Sequence, residues 1–115
     1  MSEFDVKQLG HELYSCLLNR NTVAPLSSRF PRMTIDDAYQ VQQHLVARRV
    51  SAGETIVGKK IGVTSKAVQD MIGIDQPDFG QLTSGMAYRE GENVSLSALI
   101  QPRVEAEIAF VLKRD

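Results

Sequence analysis

The sequence predicts an α+β fold: N-terminal helices followed by the start of a mixed β-sheet core. Three observations predict it. Apolar residues recur at helical steps from Val6 to Val50. The spacing changes at Glu54, where β-branched residues and glycines take over. The last apolar run, QPRVEAEIAFVL (101–112), has the composition of a strand. Helices gathered before strands, rather than alternating with them, read as α+β.

The elements follow in order. Ser2 and Asp5 form an S-x-x-D start, and Val6, Leu9, Leu13 and Leu17 follow at steps of three and four, with Tyr14 and Leu18 beside them. This helix is expected to end near residues 19–21. A loop runs through Pro25, Ser27 and Ser28 to Pro31. Thr34 with Asp37 repeats the start signal. Ile35, Ala38, Tyr39, Gln42, Leu45, Val46 and Val50 mark a second long helix, stopped at Ala52-Gly53. ETIVGKKIGVTS then reads as a strand. Ser65 caps a short helix closed by Gly73. DQPDFGQL reads as a loop, SGMAYREGENVSL as a strand with a turn at Gly91, and SLSALI as a helical turn before Pro102. Residues 1–52 form an N-terminal helical region and 53–115 a β-rich core region, within one domain.

Composition excludes several function classes. The chain has 115 residues, 43% hydrophobic and 23% charged, as in an ordinary globular domain. A net charge of -1 gives no basic field for nucleic acid or an anionic membrane. Cys16 is the single cysteine, so no internal disulfide and no CxxC pair exist. No apolar run approaches a membrane span. MSEFDVKQLG is unlike a secretory or transit peptide, and a cytoplasmic location is expected.

The E-x-E at Glu105 and Glu107 poses a chemical question. If 104–112 is a strand, Val104, Ala106, Ile108, Phe110 and Leu112 make one entirely apolar face. Glu105 and Glu107 then point the same way, about 6.6 Å apart along the strand. The other face turns apolar one step later, at Ala109 and Val111. Burying an unpaired carboxylate costs several kcal/mol, and two together also repel. A hard divalent cation such as Mg²⁺ or Mn²⁺ answers both problems. The alternative is a solvated edge, or a pair bridged by Arg or Lys.

Lys59 and Lys60 must point to opposite faces of their strand. Lys60 shares its face with Gly58 and Gly62, which leaves room for a small molecule beside the ammonium. The alternative is a bulge with both lysines in solvent. Asp78 lies in a Pro-Asp-x-Gly turn, usually only structural. His11, His44, Cys16, Tyr14 and Tyr39 read as helix-packing or surface residues. Asp36 and Asp37 suit a helix N-terminus.

GKKIGVTSKAVQDMIGIDQPDFGQL, LIQPRVEAEIAFVLKRD and MTIDDAYQVQQHLVARRVSAGE together resemble the 2-oxopent-4-enoate (2-hydroxypenta-2,4-dienoate) hydratase family, within the fumarylacetoacetate hydrolase-like superfamily. The resemblance covers nearly the whole chain. It implies a metal-dependent hydro-lyase of aromatic meta-cleavage degradation. That enzyme adds water to 2-hydroxypenta-2,4-dienoate to give 4-hydroxy-2-oxopentanoate. It implies Glu105 and Glu107 as metal ligands, Lys60 near the substrate and Asp78 as a loop acid in proton transfer. It implies homo-oligomers, some associated with 4-oxalocrotonate decarboxylase. That decarboxylase is also the sibling alternative for this chain. A noncatalytic module whose Glu pair meets a partner's arginines is another.

Members of that family continue past the E-x-E with more β-structure and a third acidic ligand. Glu90 and Glu92 flank a turn and do not replace it. The expectation is therefore an N-terminal portion of a hydratase, with weak metal binding, exposed apolar strand edges and a tendency to associate.

Overall fold

A computed structural model describes residues 3–114. Its order is α1 (Val6–Asn19), α2 (Leu26–Arg29), α3 (Ile35–Ser51), β1 (Ile56–Gly62), α4 (Lys66–Ile72) and β2 (Asp78–Thr83), with 3-10 turns at Ser84–Met86 and Leu96–Ala98.

The helices begin and end where local chemistry dictates. Ser2 lies outside the described residues, and the cap of α1 is Asp5, whose side chain accepts from the N–H groups of Lys7 and Gln8 at 2.9 and 3.2 Å. The helix stops at Arg20 in the left-handed region, φ 54°. α3 opens with a complete capping box between Thr34 and Asp37. The Thr34 hydroxyl, then its backbone N–H, hold the Asp37 carboxyl below the usual carboxylate range. Ser65 caps α4 and Gly73, at φ 74°, closes it.

α1 packs against α3, and the core lies between them: Leu9 and Tyr14 from one, Val41 and Val46 from the other. Gly10 permits the close approach. A Cβ there would stand 2.5 Å from the Cβ of His44 and 2.8 Å from the carbonyl oxygen of Val41. The Arg48 guanidinium lies 5.3 Å from the Tyr14 ring centroid, covering the core's edge.

β1 and β2 form a two-stranded antiparallel hairpin with Lys60 opposite Gly80 and Gly62 opposite Asp78. Its far end is held by Glu54. One Glu54 oxygen accepts from the Thr83 hydroxyl at 3.0 Å and the Gly85 N–H at 2.9 Å, and the carboxylate pairs with Arg49 at 3.4 Å. Thr83 is wholly buried. This network ties the end of α3 to the end of β2.

Four sequence expectations are corrected. The stretch from Pro25 to Pro31 is not all loop: it carries the short helix α2. DQPDFGQL is not all loop: residues 78–83 are strand β2. Asp, Gly and Gln are weak strand formers, and pairing with β1 overrides that preference. SGMAYREGENVSL carries a 3-10 turn and irregular chain instead of a strand, although the turn at Gly91 (φ 79°) is present. Residues 104–112 form no strand either. They run without turn or bend, unpaired, with Val104 fully exposed and Ile108 and Phe110 at 87% and 86%. A strand requires a neighbour for its backbone groups, and no described segment lies beside this one. Among the described residues no helix is long and apolar enough to cross a membrane.

Candidate functional site

The hairpin register brings Lys60 and Asp78 together. Lys60 faces Gly80, and Asp78 faces Gly62, so the two side chains are diagonal neighbours on one face. The lysine stem crosses Gly80, where an added Cβ would meet Lys60 Cγ at 3.3 Å. Its tip reaches Gly62. An added Cβ on Gly62 would stand 3.4 Å from Lys60 Nζ and 2.3 Å from Asp78 Oδ1. A side chain at 62 would have to displace the Asp78 carboxylate. The ammonium and carboxylate share this space without closing an ion pair; the described pairs are Arg29–Glu12, Arg49–Glu54 and Lys66–Asp70. Both side chains are exposed. The glycine-flanked Lys60 is legible in the sequence; its meeting with Asp78 is not, because a Pro-Asp-x-Gly stretch has the local signature of a turn.

Two contributors went unrecognised in the sequence. Tyr39 and Gln42, one turn apart on α3, hold the residue next to Asp78. The Phe79 N–H donates to the Tyr39 hydroxyl at 3.1 Å, and Gln42 Nε2 donates to the Phe79 carbonyl at 3.2 Å. The outer edge of β2 therefore finds its partners on a helix. A polar Gln42 within an apolar stripe was the available signal. Beside this clamp, α3 and the hairpin enclose a groove of about 920 Å³, lined by Val46, Val50, Ile61 and Phe79, with Lys59 and Lys60 also bordering it.

Glu105 and Glu107 are not brought to Lys60 and Asp78 by any described contact, and both are exposed. On an unbent extended stretch, residues two apart share a side. The pair offers hard oxygen donors of the type a divalent cation takes. Among the described residues no group of three His, Cys, Asp or Glu side chains is placed to hold a metal. The donors fit such an ion in kind and supply two of its ligands. Cys16 is a half-buried free thiol, and Glu92 accepts from the Arg89 N–H within its own turn.

No family model matches the chain. Curated relatives do. A 2-hydroxypent-2,4-dienoate hydratase of Pseudomonas putida is 53% identical over 111 residues, 96% of this chain and 50% of the relative. A 2-hydroxyhexa-2,4-dienoate hydratase of Comamonas testosteroni is 52% identical over 112 residues, 96% of this chain and 42% of the relative. Among solved structures, a 4-oxalocrotonate decarboxylase from Pseudomonas putida G7, complexed with magnesium and adipate, superposes with a TM-score of 0.81 at 32% identity, over 87% of this chain and 38% of that one. The chain thus spans about half the length, or less, of the proteins it matches. Over that span it is a homologue of the 2-hydroxypentadienoate hydratases and carries part of a fumarylacetoacetate hydrolase-like fold.

Proposed function

We propose that this chain carries the lysine-and-aspartate half of a metal-dependent hydratase site acting on 2-hydroxypenta-2,4-dienoate. The observation that supports it most is the shared placement of Lys60 and Asp78 over Gly62 and Gly80. An ammonium beside a carboxylate, in space kept open by glycines, can bind an anionic substrate and move protons at its carbon end. Conversion of the dienol to 4-hydroxy-2-oxopentanoate needs two such transfers. One delivers a proton to the far carbon as the enol becomes a ketone. The other manages the proton of the water that adds to the conjugated ketone. Lys60 and Asp78 divide these tasks.

Glu105 and Glu107 would hold a magnesium or manganese ion. Bound, that ion supplies Lewis-acid stabilisation of enolate charge. In the same reading the enzyme is cytoplasmic and associates with a 4-oxalocrotonate decarboxylase. The decarboxylase reading of the chain itself is weaker: the hydratase relatives are 52–53% identical, the decarboxylase structure 32%.

A chimera tests the proposal. The matched 111 residues of the Pseudomonas putida hydratase are replaced by their counterparts here. The chimera is expected to consume the dienol with Mg²⁺ present. Lys60→Met, Asp78→Asn and the pair Glu105→Gln, Glu107→Gln are each expected to lower kcat/KM by about a hundredfold or more without loss of assembly. A folded chimera that only releases CO₂ from 2-oxohex-3-enedioate sinks the hydratase reading. Lost assembly in the double glutamine variant, with no metal dependence, favours the noncatalytic module.

A further inference from the structure

Proton transfer depends on where the reacting groups are held, and misplacing one by about 1 Å can cost on the order of a hundredfold in rate. Among the described residues no ion pair holds the carboxylate of Asp78 or the ammonium of Lys60. Both residues are exposed. Their placement therefore rests on the backbone that carries them. Before Asp78 stands Pro77, whose ring fixes its own φ. After it comes Phe79, gripped on both of its peptide groups.

A peptide group is planar, so a grip on any of its atoms orients the Cα at each end. The Phe79 N–H belongs to the plane that begins at the Cα of Asp78, and it donates to the Tyr39 hydroxyl at 3.1 Å. The Phe79 carbonyl belongs to the plane that ends at the Cα of Gly80, and it accepts from Gln42 Nε2 at 3.2 Å. Tyr39 thus sets the direction in which the Asp78 side chain leaves the strand. Gln42 steadies the floor beneath the Lys60 stem: a Cβ on Gly80 would lie 3.3 Å from Lys60 Cγ and 3.8 Å from Gln42 Nε2. The support for both grips is firm. Tyr39 and Gln42 flank Val41, which is 1% exposed where α3 packs on α1. The capping box of Thr34 and Asp37 fixes the turn of α3 just before them.

We infer that Tyr39 and Gln42 are positioning residues for the proposed hydratase reaction, Tyr39 acting through Asp78 and Gln42 through Gly80 on Lys60. Neither needs to touch the substrate. The inference rests on the reading of Lys60 and Asp78 as the proton-transfer pair, and adds that a helix outside the hairpin sets the geometry of that pair. Loss of the Tyr39 grip leaves substrate binding in place and misdirects the carboxylate. It therefore lowers kcat and hardly moves KM.

Double-mutant cycles in the chimera described above test it, with a thermal melt of each variant and hydrogen exchange on this chain. Tyr39→Phe keeps the ring and removes the acceptor. It is expected to lower kcat by about tenfold, with KM within about twofold. In an Asp78→Asn background the same change is expected to cost less than about twofold, because the group it positions is already gone. Gln42→Met removes the donor at constant length, and its effect is expected to vanish in the same way beside Lys60→Met. A merely structural role would multiply the same factor into every background. If Tyr39→Phe unfolds the chimera, the Gln42 cycle carries the test. If the Asp78→Asn chimera is too slow to assay, the pH profile of Tyr39→Phe decides: a misdirected carboxylate gives a loss that changes across the acid limb, a damaged fold one that is uniform. Equal factors in both backgrounds, a uniform loss, an undiminished kcat, or a Phe79 amide that exchanges as fast in the native chain as in Tyr39→Phe would each overturn the inference. An Asp78→Asn chimera with full activity is a different result: it overturns the underlying reading of the pair, and the positioning role with it.

Discussion

The stretch from α1 to β2 and the stretch after it are apolar in similar proportion, yet only the first is anchored. In the first, the long elements find partners: α1 meets α3, Phe79 meets Tyr39 and Gln42, and Glu54 gathers Thr83, Gly85 and Arg49. In the second, Arg20 reaches the Ser97 carbonyl, while Val104, Val111 and Leu112 remain 100%, 98% and 76% exposed. Hydrophobicity alone therefore does not order a segment. It orders one when the backbone groups are satisfied at the same place.

The largest way to break this contrast is at Glu54. Glu54→Ala would strand the wholly buried Thr83 hydroxyl, the Gly85 N–H and the Arg49 guanidinium together. Of these only Thr83 is wholly buried, and orphaning its hydroxyl costs about 1–3 kcal/mol; Gly85 is exposed, Arg49 is partly so, and the Glu54 carboxylate is only 22% exposed. A loss of about 2–4 kcal/mol is expected on these grounds, read as a lower urea midpoint. A loss below about 1 kcal/mol would mean that the network is a consequence of the hairpin's docking and not its cause.

Gly10→Ala strikes the helix pair instead. A methyl 2.5 Å from His44 Cβ must push α1 from α3. Alanine's better helix propensity returns about 1 kcal/mol, and overpacking costs about 1–3. A net loss of about 1 kcal/mol is expected, checked by thermal melts. A stabilised variant would show that the helices can separate without cost.

How much of this was legible in the sequence depends on where the causes lie. α1 and α3 were legible because their caps and apolar steps are local. The strand at 56–62 and the space around Lys60 were legible for the same reason. Asp78's place on β2 was not, since a Pro-Asp-x-Gly stretch becomes strand only through pairing with β1. The strand expected at 104–112 failed for the converse reason: its alternation is real, but its partner is absent from the described structure. Glu54 gave no local sign of being a hub, because Thr83 and Gly85 lie 29 and 31 residues away and only Arg49 is near in sequence.

A smaller effect is set by pH. Asp37 has its carboxyl held low by Thr34. A group depressed in the folded state stabilises above its unfolded pKa and loses that contribution as pH falls through the folded value. Thr34→Val with Asp37→Asn should therefore flatten the acid side of a melting-temperature profile and leave its neutral-to-basic slope unchanged. An unchanged acid limb in the variant would show the capping box to be without influence on the acid stability of the chain.

The smallest expected effect sharpens the contrast most. Ile108→Ser with Phe110→Ser removes two large apolar side chains that are 87% and 86% exposed. In a packed core such changes cost several kcal/mol each. Here there is little contact to lose and no cavity to leave, so the unfolding free energy should move by no more than about 0.5 kcal/mol. The measurement is a urea denaturation of both chains. A large loss would mean that 104–112 docks within its own chain. The division between an anchored stretch and a free one would then fail.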